Sequence, residues 1–135
     1  EGQTLAGALL APTRLYVKPV LALHKAGLVK ACAHITGGGL PGNLPRVLPD
    51  GLRAVVQGGA WAVPPVFRWL ADSGQVAEEE MLRVFNCGIG MALVVAEADV
   101  PAAIIALQSA GQQAWRIGQL EEGEAGVEMR GSIWG

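Results

Sequence analysis

The segment His34-Ile35-Thr36-Gly37-Gly38-Gly39 gathers residue types suited to chemistry on an anion. Three successive glycines let backbone approach a ligand with no Cβ in the way. Their N–H groups, with the amino end of a following helix, form a concave site for phosphate or carboxylate. Thr36 adds a hydroxyl and His34 a proton-sensitive donor. The same run also serves as a flexible turn beside a core histidine, and spacing leaves both uses open. It is not a Walker A loop, because no Lys follows the glycines at the required place. Asn43 and Arg46 come next, one helical turn apart and so on one face. Arg46 there grips phosphate or carboxylate bidentately, or else pairs with Asp50 at the surface.

A second glycine-rich stretch runs Phe85-Asn86-Cys87-Gly88-Ile89-Gly90-Met91. Asn86 is a candidate hydrogen bonder to substrate or a turn cap. Gly88 and Gly90, two apart, share a strand face and leave room for neighbouring backbone or ligand. Cys87 reads as a packed small thiol, since no base is placed to activate it. Lys18 reads as a charge that snorkels to solvent or faces a cleft, and His24 as a partner for terminal helix carbonyls. Glu78-Glu79-Glu80 is helix-start charge, so no metal ligands are assigned. Neither Cys32 nor Cys87 lies in a CxxC pair or near metal-spaced histidines. Reduced thiols of this kind indicate the cytoplasm.

The elements that must hold these groups follow from periodicity and punctuation. Pro12 opens an amphipathic helix carrying Leu15, Val17, Val20, Leu21 and Leu23 and ending near Gly27. Leu28–Ile35 reads as a strand stopped by the glycines, and Gly42–Leu48 as a short helix. Pro49-Asp50-Gly51 is a turn, and Leu52–Gln57 a strand. Pro64-Pro65 starts a helix with Val66, Trp69 and Leu70 on one face, ending at Ser73-Gly74. Glu78–Val84 is a further helix with acids in its first turn. Gly88–Ala96 reads as a strand, Ala98–Ala110 as a helix stopped by Gly111, and Ala114–Leu120 as a strand. Gly126–Arg130 adds an edge strand. Trp61, Trp69 and Trp115 read as core or interface residues. Strands and helices alternate, but hairpin-like connections favour α+β with a mixed sheet flanked by helices over a doubly wound parallel sheet.

With 135 residues, the chain fits one domain, 1–135, with one sizeable core. Charged residues are only 16% against 51% hydrophobic, well below the roughly 25% charge of ordinary soluble domains. Apolar surface covered by a partner domain or subunit explains that, as does an Ala- and Gly-rich composition by itself. The net charge of -2 and the lack of a basic stripe argue against nucleic acid. No apolar run nears the roughly twenty residues that cross a membrane. The opening Glu1-Gly2-Gln3-Thr4 shows neither a signal pattern nor an initiating Met, as in a fragment or processed chain.

Leu9-Leu10-Ala11-Pro12-Thr13-Arg14-Leu15-Tyr16-Val17-Lys18 is similar to a stretch found in AIR synthetases, the phosphoribosylformylglycinamidine cyclo-ligases of bacterial type. So are His34 to Gly39 with Asn43-Leu44-Pro45-Arg46-Val47-Leu48-Pro49, and Phe85 to Met91. Trp61, Pro65-Val66-Phe67, Trp69-Leu70 and Gly74 agree in order and spacing. The resemblance spans Leu9 to Gly118 and points to the carboxy-terminal domain of that family. It implies a three-layer α/β/α arrangement that closes one side of a cleft. It also implies ATP-dependent ring closure of formylglycinamidine ribonucleotide to aminoimidazole ribonucleotide, with ATP and Mg²⁺ held mostly by an amino-terminal domain that also forms a homodimer core. On that resemblance His34 becomes the catalytic candidate. Thr36, Gly37, Gly38, Gly39, Asn43, Arg46 and Asn86 become the substrate- and phosphate-binding ones. The isolated domain is then expected to be an inactive half site. The competing expectations are another ATP-using member of the same superfamily and a stand-alone phosphate-ligand binding module without catalysis.

Overall fold

Four of the six residues of the strand Leu52–Gln57 are apolar, and Ala54, Val55 and Val56 are all buried. Successive side chains on a strand point to opposite faces, so such a run is covered on both sides. The computed structural model describes residues 4–135; the opening Glu1–Gln3, read above for its lack of a signal pattern, lies outside them. In chain order the helices are α1 (Leu5–Leu9), α2 (Val17–Lys25), α3 (Gly39–Asn43), α4 (Pro65–Gly74), α5 (Glu78–Val84) and α6 (Val100–Ser109). The strands are β1 (Ala31–His34), β2 (Leu52–Gln57), β3 (Met91–Val94), β4 (Gly118–Glu122) and β5 (Gly126–Arg130). A 3₁₀ turn, Leu44–Val47, follows α3, and another, Glu97–Asp99, precedes α6.

The class is α+β, and the strands divide between two sheets. β2 is central in the mixed one, with β4 antiparallel on one edge and β5 parallel on the other. β1 and β3 form a separate antiparallel ladder in which Ala33 faces Ala92 and His34 faces Met91. Ala33 and Ile35 turn into the core while Cys32 and His34 stay exposed, the period-two alternation of a half-covered strand. The least exposed side chains are Ile35, Leu40, Val55, Val56, Met81 and Cys87, so the core lies between the glycine loop, α5 and β2.

Five elements depart from the sequence reading, among them β4, expected over Ala114–Leu120 and found at Gly118–Glu122. The first long helix starts at Val17, not Pro12, and Leu15 stands 86% exposed before it. Pro19 fits inside its first turn because those N–H groups have no intrahelical acceptor. The segment Gly42–Leu48 is split, α3 beginning three residues earlier and a 3₁₀ turn continuing from Leu44. The strands expected over Leu28–Ile35 and Gly88–Ala96 shrink to four residues each, because each is the other's sole ladder partner. By contrast, Gly111 (φ +75°) ends α6 as expected: Gly111 N–H donates to the Gln108 carbonyl and Gln112 N–H to that of Leu107.

Candidate functional site

The three glycines are not equivalent. Thr36 carbonyl accepts from Gly39 N–H at 3.0 Å, closing a tight turn, and Gly38 carbonyl accepts from Gly42 N–H at 2.8 Å. Gly38 and Gly39 both have positive φ, +97° and +58°. A Cβ at Gly39 would run into the Leu82 and Phe85 carbonyls at the end of α5, so only glycine fits there. Around Gly37 the space is open. The N–H groups of Gly37 and Gly38 donate to no acceptor among the described residues. These two amides and the exposed Thr36 hydroxyl beside them are the polar groups of the loop left free to meet an anion. Since α3 spans only five residues, its dipole contributes little to that site.

Asn43 holds the loop from within. Its Nδ2 donates to the Gly39 carbonyl at 2.8 Å and the Gly37 carbonyl at 3.1 Å, with Thr36 carbonyl at 3.5 Å. It is the one buried polar side chain among the described residues, at 7% exposure. Arg46 sits on the 3₁₀ turn that packs against β1; it is exposed and makes no ion pair with Asp50 among the described residues. His34 ends β1 two residues before Thr36 and is exposed, so it is not a core histidine.

The second glycine-rich stretch packs beneath the first. Asn86 follows Phe85, whose carbonyl faces Gly39, and its Oδ1 accepts from Gly88 N–H at 3.0 Å. That is the turn-capping role; its Nδ2 has no acceptor among the described residues. Cys87 is fully buried at φ +46°, its carbonyl accepting from Trp61 Nε1 at 2.9 Å and its thiol directed to the Met81 carbonyl. Burial, with a smaller contribution from Glu78, pushes the thiol up to about 11. It is therefore protonated at neutral pH and no nucleophile. The room beside Gly88 and Gly90 is taken by protein: Pro64 lies against Gly88 and the Tyr16 hydroxyl against Gly90.

A cavity of about 540 Å³ opens between β3, β2, β4 and α6. Its walls are mostly apolar, with Arg14, Tyr16, Glu97 and Arg116 among them. None of His34, Thr36 to Gly39, Asn43, Arg46 or Asn86 lines it. Of the two glycine stretches, only the second reaches it, through Gly88, Ile89, Gly90 and Met91.

Residues 1–130 match the family described as AIR synthase related protein, C-terminal domain. The chain belongs to that family. The match extends past Gly118 into β5, further than the motif resemblance reached. Among curated relatives, a protein of Burkholderia cenocepacia (strain HI2424) is 58% identical over 128 residues, 93% of this chain. One of Burkholderia multivorans (strain ATCC 17616 / 249) is 57% identical over 128 residues, again 93% of this chain. One of Cupriavidus pinatubonensis (strain JMP 134 / LMG 1197) is 56% identical over 122 residues, 90% of this chain. All three are named phosphoribosylformylglycinamidine cyclo-ligase, and the chain spans 36%, 36% and 35% of their respective lengths.

In this AIR synthase related domain, the sequence of the Leu9–Lys18 stretch carried the family resemblance but offered no role for Tyr16. Tyr16 from that stretch lies edge-on to His34, ring centroids 6.0 Å apart. The available signal was Gly90, a glycine at a strand entrance for which a close neighbour was expected but not named. No helix of the described residues is long and apolar enough to cross a membrane, and no group of three or more potential metal ligands occurs among them.

Proposed function

We propose that this domain is the carboxy-terminal part of a phosphoribosylformylglycinamidine cyclo-ligase acting in purine biosynthesis. The observation that carries the reading is 58% identity over 93% of the chain to a protein of that name. The glycine loop supplies the chemistry. Gly37 and Gly38 amides and the Thr36 hydroxyl bind a phosphate of the ribonucleotide, while Asn43 fixes the loop that presents them. Arg46 adds positive charge beside the loop, and Asn86 offers its free amide nitrogen. ATP, carried with Mg²⁺ mostly by an amino-terminal domain, transfers its γ-phosphoryl group to the formyl oxygen and leaves as ADP. The amidine-derived nitrogen then attacks the activated carbon, phosphate departs, and the imidazole ring closes. His34, exposed beside the loop, moves a proton in that closure.

The partner in this reading is the amino-terminal domain, and the complete enzyme is a cytoplasmic homodimer. Leu10, Leu15, Val17, Leu21 and Ile105 form exposed apolar surface suited to such a partner, and α2 and α6 pack on one another. The test is turnover of the complete protein with formylglycinamidine ribonucleotide and Mg-ATP, followed by the aromatic amine of the product. The expected result is product from the parent and a loss of about a hundred-fold or more in kcat for His34→Ala. A folded, ATP-binding parent that forms no product sinks the assignment, and an undiminished His34→Ala removes His34 from the chemistry.

A further inference from the structure

Tyr16 belongs to a stretch that the loop chemistry leaves without a role, yet it is the aromatic neighbour of the proposed proton carrier. Its ring meets His34 at a 63° interplanar angle with centroids 6.0 Å apart, an edge-to-face geometry. The contact is built into the fold from two sides. Gly90 stands directly before Met91, the ladder partner of His34, and its carbonyl accepts from Ile35 N–H at 3.0 Å. A Cβ at Gly90 would occupy the place of the Tyr16 hydroxyl and lie 2.9 Å from its Cζ. The missing side chain is therefore what leaves room for the Tyr16 hydroxyl at the end of the β1–β3 ladder. Tyr16 also caps the start of α2 with helical backbone angles (φ -95°, ψ -8°), so its direction is set by the helix behind it. The His34 imidazole, by contrast, has no hydrogen-bond partner among the described residues, and the Tyr16 ring stands against it.

We infer that Tyr16 is a positioning residue: seated on Gly90, it restricts the His34 imidazole to one orientation beside the glycine loop. The claim rests on the proposed proton-transfer role of His34 and extends it to two residues outside the loop. It also gives the Arg14–Lys18 stretch a function, since that segment carries the ring to the ladder. A hydroxyl is not required for such a contact, whereas an aromatic ring is.

The experiment uses the complete protein and four variants: Tyr16→Phe, Tyr16→Leu, Gly90→Ala and His34→Ala. The His34 ring resonances are followed by NMR across pH, and kcat and KM are measured on the same samples. Thermal melts confirm that each variant is folded. Tyr16→Leu and Gly90→Ala are expected to move the His34 resonances and lower kcat roughly ten-fold, part of the 10²–10⁴-fold that a positioned acid–base group supplies. KM should change little, and Tyr16→Phe should keep both the parent resonances and the parent kcat. Unmoved resonances or parent kcat in Tyr16→Leu, with His34→Ala impaired, overturns the positioning role alone. Parent turnover in His34→Ala overturns the role of His34 as well, so the two failures are told apart. Should Gly90→Ala not fold, Tyr16→Leu against Tyr16→Phe still decides.

Discussion

A methyl group at Gly39 has nowhere to go: φ is +58° and the α5 carbonyls of Leu82 and Phe85 fill the position. Gly39→Ala should therefore cost about 3 kcal/mol or more in urea unfolding, combining left-handed strain with a backbone clash. Gly37→Ala, in open space, should unfold like the parent yet weaken ribonucleotide binding by crowding the two free amides. Equal stability of the two variants would show that the loop is held differently. Gly38, at φ +97°, lies between these cases, since any substitution there adds strain as well as blocking a ligand. Three identical letters in a row give no hint of this division, because it depends on α5, packed against the loop from forty residues away. Asn43 shows the same limit. Its spacing put it on one face with Arg46, but only burial shows that its amide turns inward to the loop carbonyls. Cys87 carries a pH prediction. Its thiol ionises near 9 when unfolded and near 11 when folded, so the unfolded chain loses its proton first as pH rises. The contribution to stability is constant below about pH 9 and falls as pH climbs toward 11. Melting temperature should decline more gently over that window in Cys87→Ala than in the parent, and identical slopes would contradict the buried thiol.

At the scale of elements, strong punctuation decided what was readable. β2, α5 and β5 run over the residues expected from pattern, bounded by Pro49-Asp50-Gly51, by the acids Glu78 to Glu80 and by Gly126 and Gly131. α2 was placed five residues too early because Pro12 and Leu15 fit a helix start locally. What ends the pattern there is the lack of a surface for Leu15 to bury against, which only the tertiary structure supplies. The division of strands into two sheets was invisible for the same reason: register comes from partners distant in sequence. The joint between the elements is Trp61, whose indole donates to the Cys87 carbonyl while its ring lies in the core. Trp61→Phe should keep most of the packing and strand that carbonyl, costing about 1–3 kcal/mol in chemical denaturation. A cost near zero would mean that water or a shifted turn satisfies the carbonyl instead.

Seen whole, the molecule exposes more surface than its mass calls for. Its accessible area is 8255 Å², against about 6,700 Å² for a compact monomer of 14.0 kDa. Exposed apolar side chains include Leu10 and Leu15 ahead of α2, Val17 and Leu21 on it and Ile105 on α6, which also lines an open cavity through Val100, Ala103, Ile104 and Leu107. The shortage of charge in the composition fits such bare surface, as it fits an Ala- and Gly-rich sequence by itself, and says nothing of where it lies. The isolated domain should accordingly self-associate or bind the remainder of its parent protein, read as a light-scattering mass above 14.0 kDa. A strictly monomeric mass that stays unchanged when that remainder is added would contradict a covered face. The central claim, that this domain supplies one side of a cyclo-ligase site, is tested most directly by reconstitution. The domain and its amino-terminal half are each assayed alone and then mixed, with formylglycinamidine ribonucleotide and Mg-ATP, for the aromatic amine of aminoimidazole ribonucleotide. Product from the mixture and none from either half is the predicted result. Product from this domain alone, or none from two folded halves that bind one another, would contradict it.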